Sequence, residues 1–286
     1  MPADSREHAA GDRSRSGFVQ EVESAVIQAA RRQRIPKTTA AKRRAIYNTQ
    51  LEVLGLALPE LRSINRAGFS FLESEPAGAK ASAAKSRGAK TAGLATPADR
   101  AAEKSRLAAW GAVWSGSNLF EAKIQPLLYY EGRLNQLDAK IHWPVLKAWA
   151  KDIDNWEHSD RFSKIFAQLL EIAPDAVYPT LRKWNRSKMP WLRRQSIVSL
   201  LCYDNLRESR PPVRDILPLV ENLLADPDVY VQKGVGWTLR ETGRAYPRET
   251  LAFLNQHIRA LSSVAFSAAT EKISKSDKQK LKGLRK

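Results

Sequence analysis

The strongest constraint on the fold of this chain is a helical periodicity that continues almost without interruption from Ala101 to His257. Segments of about 10–16 residues carry apolar side chains at helical spacing, and proline or short polar clusters separate them. No convincing strand pattern occurs in this region. Alternating short helices without strands are typical of stacked helical pairs, so the sequence predicts an all-α fold.

A weak internal repeat lies in the second half of this helical region. Tyr178-Pro-Thr-Leu precedes Leu217-Pro-Leu-Val by 39 residues, and the same offset relates Trp191-Leu-Arg-Arg to Tyr230-Val-Gln-Lys. The second pair places a cation three positions after an aromatic residue in both copies. The period is near that of HEAT or armadillo units, which stack into solenoids with a concave surface. We therefore predict an α-solenoid of stacked HEAT-like helical pairs.

The chain carries a strong excess of positive charge. It has 47 Lys and Arg residues against 30 Asp and Glu, which gives a formal net charge of +17. This excess indicates a polyanionic partner, with nucleic acid as the first candidate and an anionic membrane surface as the second. The alternative is that surplus lysine only aids solubility, but many of the basic residues lie inside helical segments rather than in the tails. We therefore expect the concave face of the solenoid to be basic.

Composition separates a helical repeat domain, residues 18–270, from segments of a different character. Residues 1–17 are predicted to be a disordered basic N-terminus, and residues 271–286 a basic C-terminal tail. Within the domain, residues 75–101 are rich in Ala, Gly, Ser and Lys, and they bury too little apolar surface to offset the entropy of ordering. This insertion is predicted to be mobile, and to be either a simple spacer or a basic arm that lies along phosphates.

Several common kinds of site and segment are absent from the sequence. No run of about 18 apolar residues could span a membrane, and the N-terminus has no apolar signal region. The single cysteine, Cys202, excludes an intrachain disulfide and a cysteine-based metal site, and we interpret it as a core residue. We expect a soluble cytoplasmic protein, nucleoid-associated in a bacterium, with no cofactor. The sequence has four histidines, and their spacing is not that of metal ligands: His8, His142, His158 and His257.

Three short segments carry the residues most suited to a functional role. In the first, Trp156 and Asp160 are one helical turn apart and therefore share a helix face. The alternative is that Trp156 packs in the core and Asp160 is a solvated cap. In the second, Arg193 or Arg194 either pairs with an acid of the next repeat or points at a phosphate. A structural pair is the commoner outcome for an arginine in a repeat.

The third segment lies about one repeat further along the chain. Lys233, Trp237 and Arg240 are spaced i, i+4 and i+7 and form one cation–aromatic–cation face. Gly234 and Gly236 each cost about 1 kcal/mol relative to Ala in a helix. Two glycines at this spacing therefore indicate the close approach of another backbone, which is a neighbouring helix, a nucleic acid strand, or both.

In these segments the chain resembles the AlkD-type alkylpurine DNA glycosylases, which are HEAT-like repeat proteins. The resemblance consists of Trp156-x-x-x-Asp160, then Trp191-Leu-x-Arg194, then Val231-Gln-Lys-x-Val-Gly-Trp237-x-Leu-Arg-Glu241, in matching order and spacing. The segment Leu54-Gly-Leu-Ala-Leu-Pro59-Glu-Leu-Arg62 is also similar to an N-terminal segment of that family. The similarity covers residues 18–72 and 105–257.

The resemblance implies a solenoid whose concave basic face binds DNA, and it assigns roles to particular residues. Asp160 would be the catalytic carboxylate, and Trp156 and Trp237 would flank the lesion nucleotide. Arg194 would contact the DNA backbone beside that nucleotide. Further DNA contacts are predicted at Lys233, Arg240 and Tyr230.

The implied reaction is hydrolysis of the N-glycosidic bond of purines alkylated at N3 or N7 in duplex DNA. Such a base is cationic and already a good leaving group, so no general acid is needed. One carboxylate then stabilises the oxocarbenium-like sugar and orients the attacking water. No lysine is placed for Schiff-base chemistry, so we expect a monofunctional glycosylase. We expect it to act as a monomer without a metal, a membrane or an obligate protein partner.

Two departures from the family pattern leave other functions open. One is the insertion at residues 75–101, and the other is Val229-Tyr230, which stands where the family has an aromatic pair. A non-catalytic HEAT-repeat DNA-binding protein would share the charge and the fold. A protein-binding helical scaffold would share the fold, but its affinity for DNA would depend little on salt.

Overall fold

The computed structural model describes residues 4–72, 96–201 and 210–285, with side chains described from residue 16 onward. Within these ranges the chain is helical, and β-pairing is limited to one isolated parallel bridge between Glu52 and Leu119. The predicted all-α fold is therefore confirmed. Cys202 and residues 75–95 of the insertion lie outside the described ranges. The helices are α1 Asp4–Arg32, α2 Lys37–Tyr47, α3 Leu58–Ala67, α4 Pro97–Gly116, α5 Phe120–Lys123, α6 Gln125–Glu131, α7 Ala139–Trp149, α8 Trp156–Ile172, α9 Pro174–Trp184, α10 Pro190–Val198, α11 Val213–Glu221, α12 Val229–Ala245, α13 Pro247–His257, α14 Ser263–Ala269 and α15 Lys275–Arg285.

The chain divides into two compact units, residues 1–161 and 162–286, and the boundary falls inside α8. In the first unit, α1 and α7 pack against α4, and α3 packs against α6. In the second unit, α12 packs against α10, α13 and α14. None of the helices in the described ranges is long and apolar enough to cross a bilayer.

Both ends of the chain are more helical than their composition suggests. Helix α1 begins at Asp4, inside the stretch that we expected to be disordered. Ala, Arg and Glu in this stretch are good helix formers, which accounts for the difference. At the other end, α15 occupies most of the predicted tail. Its Leu281 side chain is fully buried, and Arg285 donates to the carbonyl of Leu261 at 3.0 Å.

The second helix is shorter than its apolar pattern predicts. That pattern continues from Thr38 to Gly55, whereas α2 ends at Tyr47. Asn48 has a φ of 53°, a left-handed conformation that ends a helix and that asparagine tolerates better than most residues. The chain then runs extended, and the backbone of Glu52 exchanges hydrogen bonds with residues 118 and 120.

A buried carboxylate holds this extended segment in place. Glu121 is fully buried, and its two oxygens accept the backbone N–H groups of Leu54, Gly55 and Leu56 at 3.0, 2.7 and 3.2 Å. Burial raises the pKa of Glu121, and the three hydrogen bonds oppose that shift. Glu121 thereby fixes the path of the chain from α2 to α3.

The predicted repeat is present in the second unit as a recurring hydrogen bond. In the first copy, Arg193 donates through Nη1 to the carbonyl of Ser187 at 2.9 Å. In the second copy, Gln232 donates through Nε2 to the carbonyl of Asp226 at 2.9 Å. Both the donors and the acceptors are 39 residues apart. In each helical pair, the side chain at the same position therefore donates to a backbone carbonyl of the loop that joins the two helices, as expected for HEAT-like repeats.

The paired glycines of α12 lie where neighbouring helices approach closely. A Cβ atom on Gly236 would lie 2.6 Å from the carbonyl oxygen of Ala265 in α14. A Cβ atom on Gly234 would lie 3.3 Å from the side chain of Arg194 in α10. The predicted close approach of another backbone is confirmed at Gly236, where that backbone belongs to a neighbouring helix.

Candidate functional site

The candidate site in the first unit is built on the start of α8. Trp156 is the first residue of this helix, and the side chain of Asn155 caps it by accepting the backbone N–H of His158 at 2.9 Å. The indole Nε1 of Trp156 donates to the carbonyl of Ile46 at 2.8 Å. The Trp156 ring also lies 5.7 Å from the ring of Tyr47. The last turn of α2 therefore sets the orientation of the indole.

A carboxylate just before α8 strengthens this junction. Asp154 accepts hydrogen bonds from the Thr49 hydroxyl, from the backbone N–H of Gln50 at 3.2 Å and from the Asn155 amide at 2.6 Å. These bonds connect the turn after α2 to the turn before α8. The side chains that follow along α8 consequently extend from an anchored helix end.

Asp160 lies one turn after Trp156, and both side chains are half-buried. Trp156 is thus not a fully buried core residue. The cation next in sequence, Arg161, is buried and pairs with Glu131 and Glu157, each at 2.6 Å. Two carboxylates therefore compensate the charge of Arg161. The Asp160 carboxylate and the Trp156 indole are both partly accessible in this turn, so they could meet a ligand.

The histidine between Trp156 and Asp160 is held in its neutral form. His158 is fully buried, with its ring stacked on Phe120 at 5.0 Å and Trp114 against it at 5.2 Å. Burial lowers the pKa of His158 to about 3, although the nearby Asp154 carboxylate opposes the shift. The ring is also 2.9 Å from the Asn155 amide. His158 therefore supports the start of α8 and has no access to a ligand.

This buried ring predicts a loss of stability at mildly acidic pH. Below pH 6.5 the unfolded chain protonates His158, whereas the folded protein does not until about pH 3. The contribution of His158 to the free energy of unfolding should thus be constant above about pH 7 and should fall by about 1 kcal/mol at pH 5.5. His158→Gln keeps a hydrogen-bond acceptor for Asn155 and should remove this slope. Urea unfolding at pH 7.5 and 5.5 checks it, and equal slopes in the two proteins would contradict it.

In the second unit, the aromatic–cation pairs of the two repeats lie side by side. The rings of Trp191 and Tyr230 are 5.1 Å apart, and the Nζ of Lys233 lies 4.5 Å above the Tyr230 ring. Lys233 is exposed, and both rings are half-buried. The structure thus places an exposed cation over the Tyr230 ring at the start of α12, where an anionic partner can reach it.

The two arginines before this cluster both serve the packing of the repeats. Arg193 pairs with Asp226 through two bonds, of 2.5 and 3.0 Å. Arg194 is only 6% exposed, and its Nη1 donates to the carbonyl of Tyr230 at 2.8 Å. The predicted contact of Arg194 with a DNA backbone therefore does not fit its position. Its guanidinium lies between α10 and α12, because the glycine at 234 leaves room for it.

The predicted cation–aromatic–cation face of α12 is present only in part. Trp237 is half-buried and Lys233 is exposed. Arg240, in contrast, pairs with Glu241 at 3.0 Å and with Glu271 at 2.5 Å. Two carboxylates thus compensate its charge, so it is poorly placed for the predicted direct contact with DNA.

Comparison with known proteins gives this arrangement a family. A family model described as the DNA alkylation repair enzyme matches residues 74–273. The chain belongs to that family. A solved structure described as a predicted DNA alkylation repair enzyme from Enterococcus faecalis has a similar fold, with a TM-score of 0.60 at 14% identity. The similarity covers 83% of this chain and 96% of that one. No curated protein matches the sequence.

The DNA alkylation repair family match includes the candidate residues on α8 and α12 and excludes the first three helices. Asp160, Trp156, Lys233 and Trp237 all lie within residues 74–273, whereas α2 lies before them. Among the residues that the structure describes, no three His, Cys, Asp or Glu side chains are grouped as a metal site would need.

Sequence reasoning did not find the residues that hold the start of α8 and the segment after α2 in place. Asp154, Asn155 and Glu121 act on chain segments that are distant in sequence or in irregular conformations, and no local pattern marks them. For Asn155 there was a usable signal, because an asparagine directly before a helical segment is a common N-cap. For Glu121 no such signal exists in a single sequence.

Proposed function

We propose that this member of the DNA alkylation repair family is a monofunctional DNA glycosylase. It hydrolyses the N-glycosidic bond of purines alkylated at N3 or N7 in duplex DNA and leaves an abasic site. The observation that supports this best is the placement of Asp160. Its carboxylate is half-buried one turn after a half-buried indole, on a helix end that hydrogen bonds hold in place.

The chemistry requires little more than such a carboxylate. An alkylated purine cation leaves without protonation, and the positive charge then develops on the sugar. A negative charge held close to that sugar lowers the barrier electrostatically, and it can also orient the attacking water. A neutral lesion would need a general acid, and the nearest histidine, His158, is buried and unprotonated at neutral pH.

The tryptophans supply recognition of the cationic base. An indole face attracts a cation by about 0.5–2 kcal/mol, depending on how far the pair is desolvated. The hydrogen bond from its indole to the carbonyl of Ile46 fixes the orientation of Trp156, one turn before Asp160. By resemblance to the glycosylases, Trp237 of the second unit has the same role. We assign both residues to the lesion nucleotide, as aromatic contacts that discriminate alkylated from normal purines.

The remaining candidate residues either contact DNA or position the residues that do. Lys233 is exposed, so we assign it, with the adjoining Tyr230, to the DNA backbone. Arg194 and Arg240 are assigned to positioning, because Arg194 bonds to the carbonyl of Tyr230 and Arg240 pairs with two glutamates. Both arginines thereby hold α12, which carries Lys233 and Trp237.

Release of alkylated bases tests the proposal directly. The purified full chain is incubated with duplex DNA treated with a methylating agent, and the released purines are separated by chromatography. We expect release of N3- and N7-methylated purines and no release from untreated DNA. Salt-dependent binding to duplex DNA without any base release would instead identify a non-catalytic DNA-binding protein and overturn the glycosylase assignment.

A further inference from the structure

A densely basic segment lies before the candidate residues on α8 and α12. Residues 31–44 comprise the end of α1, the turn that follows it and most of α2. They contain seven cations and no Asp or Glu. This segment lies before the residues that match the family model. The seven cations are Arg31, Arg32, Arg34, Lys37, Lys42, Arg43 and Arg44.

Helix α2 contributes little to the hydrophobic core beyond the ring of Tyr47, which stacks on the buried Phe120 at 4.2 Å. None of its residues is buried, and Ile46, its one large aliphatic side chain, is 62% exposed. Apolar packing supplies most of the stability of protein helices, so a short helix without a buried face is weakly stabilised. Its position therefore depends on polar contacts and on the Tyr47 ring, and the rest of its surface is available to a partner.

Those polar contacts leave the positive charge uncompensated. Arg43 donates to the carbonyl of Leu56, and Arg44 donates to the carbonyl of Gln50 at 3.0 Å. Carbonyl oxygens are neutral, unlike the carboxylates that pair with Arg161 and Arg240. Like charges packed this closely repel one another, and an anionic partner would relieve the repulsion.

The same helix adjoins the proposed catalytic turn. The carbonyl of Ile46 in the last turn of α2 accepts the Trp156 indole, and Asp160 follows one turn later on α8. Whatever binds along α2 is therefore brought beside these two residues. A duplex strand is a partner with the required charge, and it is the substrate of the proposed reaction.

We propose that α2 and the turn before it form a phosphate-binding element, which holds the DNA backbone beside Trp156 and Asp160. This inference rests on the proposed function for its choice of DNA as the polyanion. Each cation that neutralises a phosphate releases condensed counterions, so the element contributes affinity that falls as salt rises. It contacts no bases and carries no sequence preference.

The test compares two triple variants of the full chain with the same change in net charge. In the α2 variant, Arg32, Lys37 and Lys42 become glutamine, and the anchoring contacts of Arg43 and Arg44 remain. In the control, the exposed Arg66, Lys104 and Lys140 of the same unit become glutamine. Fluorescence anisotropy with an undamaged duplex between 50 and 200 mM salt gives the affinity and its salt slope.

The α2 variant should bind at least about tenfold more weakly than wild type at 100 mM salt, and its salt slope should be smaller by roughly 2–3. The control should change both quantities much less. A third variant, Arg32→Lys with Lys37→Arg and Lys42→Arg, should bind like wild type. Equal losses in the α2 variant and the control would overturn the proposal, because bulk charge alone would then explain the binding.

This outcome is independent of the test of catalysis. If wild type releases methylated purines but the α2 variant and the control bind DNA alike, the α2 element is wrong and the glycosylase assignment stands. If wild type releases no base but only the α2 variant loses affinity, the glycosylase assignment is wrong and the α2 element stands. The midpoint of thermal unfolding is measured for all three variants. Midpoints within about 2 °C of wild type establish that the substitutions changed the charge and not the folding.

Discussion

Asp160→Asn is expected to reduce the release of methylated purines from duplex DNA by about 100- to 1,000-fold. Asparagine has nearly the same shape as aspartate but no negative charge, so it cannot stabilise the positive sugar of the transition state. The loss corresponds to about 3–4 kcal/mol of transition-state stabilisation. Single-turnover release at saturating protein measures it without interference from binding.

The matched control is Asp152→Asn. Asp152 is exposed in the same unit, eight residues before Asp160, and the substitution makes the same change in net charge. We expect its rate of base release to stay within about twofold of wild type, since an exposed charge is screened by solvent and salt. Both variants should bind undamaged duplex with similar affinity. Full activity of the Asp160 variant would remove Asp160 from the mechanism.

Gly236→Ala is expected to destabilise the second unit by about 1–3 kcal/mol, although alanine is the better helix former. The new Cβ atom would lie 2.6 Å from the Ala265 carbonyl oxygen and 2.9 Å from the Ala265 Cα. Both are backbone atoms of α14, so the contact can be relieved only by moving that helix away from α12. The strain should exceed the gain of about 1 kcal/mol in helix propensity.

The same helix offers a control of opposite sign. At Gly243 a new Cβ atom would meet only the Thr250 side chain, at 3.5 Å, which is an ordinary contact. Gly243→Ala should therefore stabilise by about 0.5–1 kcal/mol. Urea unfolding of the two variants beside wild type measures both effects. If the two substitutions shifted the transition in the same direction, the close approach of α12 and α14 would be refuted.

The glycines illustrate what a single sequence can reveal about this fold. Two glycines within one helical turn are unfavourable for a helix, so their presence in α12 already indicated a close approach. The sequence did not show that Gly236 faces a backbone while Gly234 faces the Arg194 side chain. That distinction depends on which helices lie on either side of α12, and local spacing carries no information about it.

The arginines show more clearly which features the sequence reveals and which depend on the tertiary structure. Arg193, Arg194 and Arg240 all stood where a contact with a partner was conceivable. In the structure Arg193 pairs with Asp226, Arg194 bonds to the carbonyl of Tyr230, and Arg240 pairs with Glu271, which lies 31 residues away. A guanidinium binds whichever acceptors folding brings within reach. Its role therefore follows from contacts between segments that are far apart in sequence.

By itself the sequence determined the helical class, the 39-residue repeat and the helical turn that joins Trp156 to Asp160. These features follow from backbone hydrogen bonding and side-chain periodicity, which act over a few neighbouring residues. Only the tertiary structure decided that the last turn of α2 holds the Trp156 indole. That contact depends on the meeting of two segments 110 residues apart, whose geometry no local pattern encodes.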